Sequence, residues 1–253
     1  MEGKVALVTG ASGGIGFDTA VVLAERGAKV AIAARRKDQL DELVTSIQDA
    51  GGEAVALSTD VSKVEDVRNM VDGTLEAFGR LDIAVNNAGV EGEFAPIHEF
   101  DEDAWDQVLG INLRGNFLCL KYQSQAMLAQ GEGGAIVNVG SVNSYRGFAG
   151  GSAYATSKHG QIALTSCASA ELAPQGIRVN LVCPGVIRTP MHERLRGNLG
   201  DDGYDDLLEN SVHLRRAGQP QEIAKTIAFL GSDDASYITG ATLTADGGLM
   251  NTV

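Results

Sequence analysis

The chain is short of several residue types, and each shortage excludes a class of protein. Its 253 residues include three cysteines, Cys119, Cys167 and Cys183, which stand among apolar or small residues without the spacing of metal ligands. They predict buried thiols in a reducing compartment and no metal site. No apolar run approaches the roughly 18 residues that a membrane-spanning helix needs.

Basic residues are also scarce, because 20 Lys and Arg stand against 33 Asp and Glu. The net charge of −13 argues against nucleic acid, since such a protein needs a basic face to displace counterions from phosphates. An anionic membrane surface is disfavoured for the same reason. The first residues show no charged leader and no processing site, so we expect a cytoplasmic protein.

Hydrophobic residues, by contrast, are plentiful and occur in a regular order. They make up 44% of the sequence, and the length fits one α/β domain over residues 1–253. Apolar runs typical of strands alternate with helical patterns, which predicts a doubly wound parallel sheet of about seven strands with helices on both faces. The predicted strands are residues 4–8, 29–34, 54–58, 82–85, 135–139, 177–182 and 241–245. Helices are predicted over residues 19–26, 38–50, 101–113, 115–129, 152–172 and 220–230.

Two local patterns lead to more specific expectations. Ser62 and Glu65 form a capping-box pattern for a further helix that ends at Phe78. Residues 186–218 are polar and poorly periodic, so we expect them to form an irregular lid over a substrate, or a disordered loop.

A glycine-rich turn follows the first predicted strand. Gly10, Gly14 and Gly16 stand between this strand and a helical pattern, where backbone N–H groups at a helix N-terminus can hold a phosphate. Glycines at such a turn let the backbone approach a pyrophosphate closely. The spacing differs from the commoner dinucleotide fingerprint, and a plain tight connection between strand and helix is the alternative.

Three cations follow the second predicted strand. Arg35, Arg36 and Lys37 come after Ala34, at the place where an acidic residue would hold the ribose hydroxyls of NAD. An arginine can instead bind the 2′-phosphate of NADP through charge-assisted hydrogen bonds. We therefore predict NADP(H) as the cofactor, with Arg35 as the chief contact and Arg36 in support. A solvated basic loop is the alternative.

Tyr154 and Lys158 stand four residues apart in a predicted helix and could form an acid/base pair, although a chance spacing on a surface helix is the alternative. Residues four apart share one face of a helix. A tyrosine titrates near pH 10, and one positive charge about 4 Å away could lower its pKa by about three units at an effective dielectric constant of about 20. Ser141 ends a predicted strand nearby in sequence, at the edge where ligands bind in open α/β sheets. Asn112, in apolar surroundings, is either a satisfied core amide or a functional one.

Taken together, these segments resemble the short-chain dehydrogenases/reductases along essentially the whole chain. The matching positions are residues 9–16, Asp60 with Val61, residues 86–89, Asn112, Ser141, Tyr154 with Lys158, Pro184 with Gly185, and residues 246–248. The resemblance implies a Rossmann fold and an oxidoreductase that acts on CH–OH or C=O groups.

The resemblance also implies a role for each position. Tyr154 would protonate the carbonyl oxygen in reduction or take the alcohol proton in oxidation, while Ser141 would hold the substrate oxygen. Lys158 would lower the pKa of Tyr154 and bind the nicotinamide ribose, and Asn112 would anchor a water that links Lys158 to solvent. The implied cofactor contacts are Gly10, Ser12, Gly14, Ile15, Gly16, Arg35, Arg36, Asp60, Val61, Asn87, Ala88, Gly89, Tyr154, Lys158, Ile187 and Thr189. From position alone, Asp60 is either a contact of the adenine amino group or an ordinary polar loop residue.

The resemblance also leads to expectations about the oligomeric state and about binding of a carrier protein. Family members commonly form tetramers, so we expect a homo-oligomer, a tetramer or a dimer. Relatives that reduce acyl groups on an acidic carrier protein place basic residues at positions matching 129–132 and 174–176, where this chain has none. With a net charge of −13, docking of such a carrier would be repulsive.

We therefore expect a small, mainly hydrophobic ketone or secondary alcohol as the substrate. The expected pocket consists of Phe94, Val142, Tyr145, Val186, Met191 and Leu195. A 3-oxoacyl carrier-protein reductase and a non-catalytic NADP-binding sensor on the same fold are the alternatives.

Overall fold

A seven-stranded parallel sheet forms the centre of the molecule in the computed structural model, which describes residues 1–251 apart from the side chains of Leu195 and Asn198. The strands are β1 (Val5–Thr9), β2 (Lys29–Ala34), β3 (Ala54–Ser58), β4 (Ile83–Asn86), β5 (Gly134–Val139), β6 (Ile177–Pro184) and β7 (Thr242–Ala245). Their order across the sheet is β3-β2-β1-β4-β5-β6-β7. The order reverses between β1 and β4, and ligands bind at such a switch point, outside the carboxyl ends of the strands.

Eight helices among the described residues connect these strands. They are α1 (Gly14–Glu25), α2 (Lys37–Asp49), α3 (Val64–Phe78), α4 (Glu102–Leu109), α5 (Gly115–Gln130), α6 (Ser152–Leu172), α7 (Pro190–Ser211) and α8 (Pro220–Gly231). A π-helical turn, Gly110–Arg114, joins α4 to α5. The doubly wound parallel sheet predicted from the sequence is therefore confirmed, including the bounds predicted for β2, β3 and α6.

The core consists of one apolar layer on each face of the sheet. Side chains alternate between faces along a strand, so Ala6 and Val8 of β1 pack into one layer and Leu7 into the other. The first layer holds the buried faces of α1, α2 and α8, and the second holds those of α3 and α5. Burial on both faces explains why the strands consist of nearly continuous apolar runs.

Residues 186–218 differ from the irregular lid that the sequence pattern predicted. Most of this segment is the helix α7, which begins at Pro190, a residue suited to the first helical turn. The Thr189 hydroxyl caps it by accepting a hydrogen bond from the His192 N–H at 3.2 Å. Gly200, at φ 72° and ψ 165°, interrupts the helix. The break and the polar residues on both sides of it conceal the helical period in the sequence.

The predicted capping box at the start of α3 is wrong. The Ser62 hydroxyl donates to the Asp60 carboxylate at 2.7 Å instead of capping the helix, and Glu65 pairs with Arg68 at 3.2 Å. Asp60 competes successfully because its carboxylate lies two residues away and accepts from the Ser62 backbone as well.

The prediction of three buried thiols is also wrong in part. Cys119 and Cys183 are buried, but Cys167 is exposed, because it lies on the outward side of α6. Within residues 1–251, no helix is long and apolar enough to cross a membrane, and no group of three or more potential ligand side chains could hold a metal ion.

Candidate active site

Two adjoining cavities open at the carboxyl ends of the strands, across the switch point between β1 and β4. The larger has a volume of about 700 Å³ and the smaller about 350 Å³. Both are lined by Ile15, Asn87, Gly89, Thr189 and Met191. A molecule lying in the smaller cavity could therefore extend into the larger one.

The glycine turn between β1 and α1 forms one wall of the smaller cavity. Gly10 and Gly14 have φ angles of 68° and 58°, which side-chain-bearing residues rarely adopt. A Cβ atom on Gly16 would clash with the Asn87 amide and the Gly10 carbonyl. The Asn87 amide donates to the carbonyls of Thr9 and Gly10, both at 3.1 Å, and so ties the turn to the end of β4. This close packing brings the N-terminus of α1 against the cavity, as a pyrophosphate site requires.

The smaller cavity is also lined by basic side chains. Arg35 and Arg36 line it together with Ser12, and the Arg36 guanidinium donates to the Ser12 hydroxyl at 2.9 Å. Asp60 lies there too. Burial raises the pKa of its carboxyl, but the hydrogen bonds from Ser62 and the charges of Lys63 and Arg35 outweigh burial and hold that pKa below its usual value.

Most of the predicted cofactor residues come together in this groove. Those lining the smaller cavity are Gly10, Ser12, Gly14, Ile15, Arg35, Arg36, Asp60, Val61, Asn87, Ala88, Gly89 and Thr189. Ile187, Tyr154 and Lys158 line the larger cavity, and Gly16 supports the turn from behind. The groove therefore fits a dinucleotide, with the phosphates at α1 and one end among the arginines.

Ser141, Tyr154 and Lys158 meet in the wall of the larger cavity. The Lys158 Nζ lies 5.7 Å from the centre of the Tyr154 ring and donates to the Val139 carbonyl at 2.9 Å. Ser141 follows shortly after the end of β5. Its Oγ accepts a hydrogen bond from the Asn143 N–H at 3.1 Å. The Ser141 hydroxyl proton is not used in this bond, so it can be donated to the Tyr154 oxygen or to an oxygen of a molecule in the cavity.

Burial shifts the pKa values of both ionisable groups in this set. It raises the pKa of Tyr154 to about 12, an effect that the Ser141 hydroxyl partly offsets and the Glu91 charge reinforces. It also lowers the pKa of Lys158 to about 8. We expected Lys158 to lower the pKa of Tyr154. In the structure the pKa of Tyr154 is raised instead, because desolvation of the phenolate dominates.

Asn112 is a fully buried amide within the π-helical turn. Its Oδ1 accepts from the Val90 N–H and its Nδ2 donates to the Val90 carbonyl, both at 2.8 Å, and Nδ2 also reaches the Ser157 hydroxyl at 3.1 Å. The Asn112 main-chain carbonyl accepts from the Gln161 amide at 2.8 Å. Gln161 was not predicted as a site residue. The water-anchoring role of Asn112 stays a prediction.

Four of the six expected substrate-pocket residues line the larger cavity: Phe94, Val142, Val186 and Met191. Tyr145 does not, because the 3₁₀ turn Val142–Ser144 directs it away, where its hydroxyl donates to the Thr242 carbonyl at 3.4 Å. The side chain of Leu195 lies outside the described residues.

Sequence reasoning missed several lining residues, above all those of α7. His192, Leu199 and Leu207 come from this helix, whose period was not visible in the sequence. The His192 Nε2 lies 2.6 Å from the Tyr204 hydroxyl, a buried contact between the two halves of α7 on either side of Gly200. Glu91 and Arg146 add polar groups to a lining that was expected to be apolar. Glu91 could have been found, because it follows the polar segment at the end of β4.

One family model and several known proteins match this chain over nearly its whole length. A family model described as enoyl-(acyl carrier protein) reductase matches residues 10–250. The short chain dehydrogenase/reductase astE of Aspergillus oryzae is 42% identical over 98% of this chain and 95% of its own length. The cyclohexanol dehydrogenase of an Acinetobacter species is 38% identical, over 96% of this chain and 94% of its own length. The crystal structure of levodione reductase superposes with a TM-score of 0.96 at 36% identity, covering 100% of both chains.

Gly16→Ala should weaken dinucleotide binding, because the added Cβ would clash with the Asn87 amide and the Gly10 carbonyl. We expect the affinity for NADPH, measured by calorimetric titration, to fall by more than about tenfold. Gly110→Ala is the control, since Gly110 has helical φ and ψ angles, no atom lies within 4 Å of its added Cβ, and it lines neither cavity. Equal losses in the two variants would contradict this account of the turn, and thermal unfolding of both separates binding from folding.

Lys158→Met should remove a pH dependence of stability. The native pKa of about 8 lies below the ordinary 10.5, so between these values the unfolded chain holds a proton that the native protein has lost. Stability therefore rises with pH across this range, by about 3 kcal/mol for the full shift. We expect the free energy of unfolding in urea to rise in the wild type relative to the variant between pH 7 and pH 10. The buried thiols of Cys119 and Cys183, whose pKa values burial raises, lower stability at the alkaline end in both proteins alike, so the difference between the two proteins is the quantity to measure.

Tyr154→Phe is the control for the lysine variant, because it retains Lys158 and should retain the rise. Tyr154 affects stability only at higher pH, between its ordinary pKa of 10.0 and its native pKa of about 12. In that range the unfolded chain loses the phenol proton that the native protein retains, so stability falls as pH rises. A Lys158→Met protein with the wild-type pH dependence would show that the ammonium is not desolvated.

Proposed function

The chain belongs to the short-chain dehydrogenase/reductase family and is an oxidoreductase acting on CH–OH or C=O groups, and we propose that it interconverts a small, mainly hydrophobic ketone and its secondary alcohol with NADP(H). The observation that carries this proposal is the meeting of Ser141, Tyr154 and Lys158 in one cavity that adjoins the dinucleotide groove. A binding protein without catalysis has no need of this set.

In the proposed reaction the side chains of the site have separate roles. The nicotinamide, when bound, supplies or accepts the hydride. Tyr154, whose pKa burial raises to about 12, is protonated at neutral pH and can donate its proton to a carbonyl oxygen in reduction. The Ser141 hydroxyl donates a hydrogen bond to the same oxygen and orients it. Lys158, held by the Val139 carbonyl, places a positive charge beside the cofactor groove.

The preference for NADP(H) is proposed from the charge at the end of the groove. Arg35 and Arg36 line the smaller cavity, and Ala34 occupies the end of β2, where a carboxylate would repel a 2′-phosphate. A guanidinium can instead bind a phosphate through two parallel hydrogen bonds. The bond between Arg36 and Ser12 brings this side chain toward the glycine turn.

A small cyclic or aliphatic ketone is proposed as the substrate class. Phe94, Val142, Val186 and Met191 give the cavity a mainly apolar wall. The name of one relative, cyclohexanol dehydrogenase, supports a compact ring compound. The description of the matching family model favours the alternative of an acyl group on a carrier protein. The net charge of −13 opposes it, because a carrier of the same sign would be repelled.

We also propose that the protein is a homo-oligomer, a tetramer or a dimer, in a reducing cytoplasm. Exposed apolar side chains support the assembly: Phe117 and Leu128 on α5, and Leu243 on β7.

The proposed location is supported by the three cysteines, which are free thiols, as a reducing compartment would keep them.

Tyr154→Phe tests the catalytic proposal. With cyclohexanone, aliphatic ketones and β-keto esters as a panel, we expect the wild type to consume NADPH and the variant to lose at least about 100-fold in turnover, because the proton donor is gone. NADPH absorbance gives the rate, and calorimetric titration shows whether the variant still binds the cofactor. Turnover that survives in the variant would contradict the mechanism. Cofactor binding without turnover by the wild type would favour the sensor, and turnover only on a carrier-linked acyl group would favour the carrier reductase.

Arg35→Ala tests the cofactor preference. Losing the guanidinium should lower kcat/KM for NADPH by about tenfold or more and leave kcat/KM for NADH nearly unchanged, since NADH lacks the 2′-phosphate. Lys37→Ala is the matched control, because the Lys37 ammonium is already paired with the Asp41 carboxylate at 2.6 Å. Equal rates of the wild type with NADH and NADPH would disprove the preference.

A further inference from the structure

Glu91 places a carboxylate in the wall of the larger cavity, among mainly apolar residues. Its side chain is only 13% exposed. The preceding residue, Val90, is held at both its N–H and its carbonyl by the Asn112 amide, at 2.8 Å each. Because the backbone is fixed immediately before it, Glu91 has a well-defined place beside the catalytic side chains.

The Glu91 carboxylate has few hydrogen bonds for a group so poorly exposed. Among the described residues, its hydrogen-bond partner is Arg194 of α7, whose Nε lies 3.4 Å from Oε2, a long and weak contact. Arg194 is itself 58% exposed. Burial raises the pKa of Glu91 in spite of this positive charge. A carboxylate in this position is stabilised by any hydroxyl donor that enters the cavity.

Glu91 and Tyr154 face the same cavity. Both line the larger cavity, and the Glu91 charge is one cause of the raised pKa of Tyr154. A substrate whose reacting oxygen lies at Ser141 and Tyr154 therefore also lies within the field of the Glu91 carboxylate. An ionised carboxylate only accepts hydrogen bonds, so the group it selects on the substrate is a donor.

We propose that Glu91 accepts a hydrogen bond from a second hydroxyl group of the substrate, so that the preferred substrates are diols, or the corresponding hydroxy ketones, on a mainly hydrophobic frame. This inference rests on the proposed function and names its substrate class. It makes Glu91 a substrate-binding residue that determines specificity, while Tyr154 remains the proton donor.

A different role for Glu91 would follow if its pairing with Arg194 were what matters. The pair joins the segment after β4 to α7, so it could hold α7 closed over the cavity. In that case Glu91→Gln and Arg194→Met would weaken all substrates alike. If Glu91 binds a substrate hydroxyl, the two variants should differ, because only the first removes the acceptor charge from the cavity wall.

The test compares oxidation of cyclohexanol with that of the 1,2-, 1,3- and 1,4-isomers of cyclohexanediol, using NADP⁺ and following absorbance. We expect at least one diol to have a kcat/KM about tenfold or more above that of cyclohexanol in the wild type. In Glu91→Gln this ratio should fall about tenfold, mainly through KM, whereas Arg194→Met should keep it. Removal of the Glu91 charge should also shift the pH profile of oxidation to lower pH, since that charge raises the pKa of Tyr154.

The outcomes separate this inference from the proposed function. Turnover of cyclohexanol or a diol by the wild type upholds the reaction class. With that turnover present, a diol preference absent in the wild type, unchanged in Glu91→Gln, or lost equally in Arg194→Met would overturn the role of Glu91. Absence of turnover on all four alcohols and on the ketone panel would overturn the proposed function itself. Thermal unfolding of Glu91→Gln and Arg194→Met confirms that each variant is folded, and calorimetric titration with NADPH measures any change in cofactor affinity, because Arg194 also lines the smaller cavity.

Discussion

The hydrogen bonds of the buried Asn112 amide join the three segments that build the active site. One segment is the π-helical turn that contains Asn112, the second is the chain after β4 at Val90, and the third is α6 at Ser157. Loss of this amide would leave the Val90 N–H and carbonyl, which are partly buried, without this partner. The same contact places Gly89 so close that a Cβ atom there would lie 3.3 Å from Asn112 Oδ1 and 3.7 Å from Lys158 Nζ. Cofactor groove, catalytic helix and substrate wall therefore depend on one side chain.

Burial is the second constraint, and it controls the protonation of the site. Desolvation opposes charge, so it raises the pKa of the Tyr154 phenol and lowers that of the Lys158 ammonium. Tyr154 consequently holds its proton at neutral pH, which suits the reduction of a carbonyl. Glu91, in the same wall, strengthens the effect on Tyr154 and gives the mainly apolar cavity a polar side. The same few residues therefore set the protonation of the site and the polarity of the cavity wall.

Several predictions from sequence failed where a local pattern competed with an alternative partner. Ser62 bonds to Asp60 rather than to the helix it precedes, because Asp60 is nearer and carries a charge. Tyr145 follows Ser141 closely in sequence, yet a 3₁₀ turn directs its hydroxyl to Thr242. Residues 186–218 seemed irregular because Gly200 breaks a polar helix into two parts with no shared apolar period. In each case the sequence contained both options, and no local rule ranked them.

The sequence by itself determined the sheet, the glycine turn and the pairing of Tyr154 with Lys158. These features depend on neighbours in the chain: a short apolar run bounded by turn residues is typical of a buried strand, and residues four apart in a helix share one face. Only the tertiary structure decided what surrounds them. The burial that raises the Tyr154 pKa, the use of Asn112 to hold Val90, and the position of Glu91 in the cavity wall all arise from contacts between segments far apart in the chain. Desolvation and hydrogen-bond pairing act through space, so the spacing of residues along the chain does not report them.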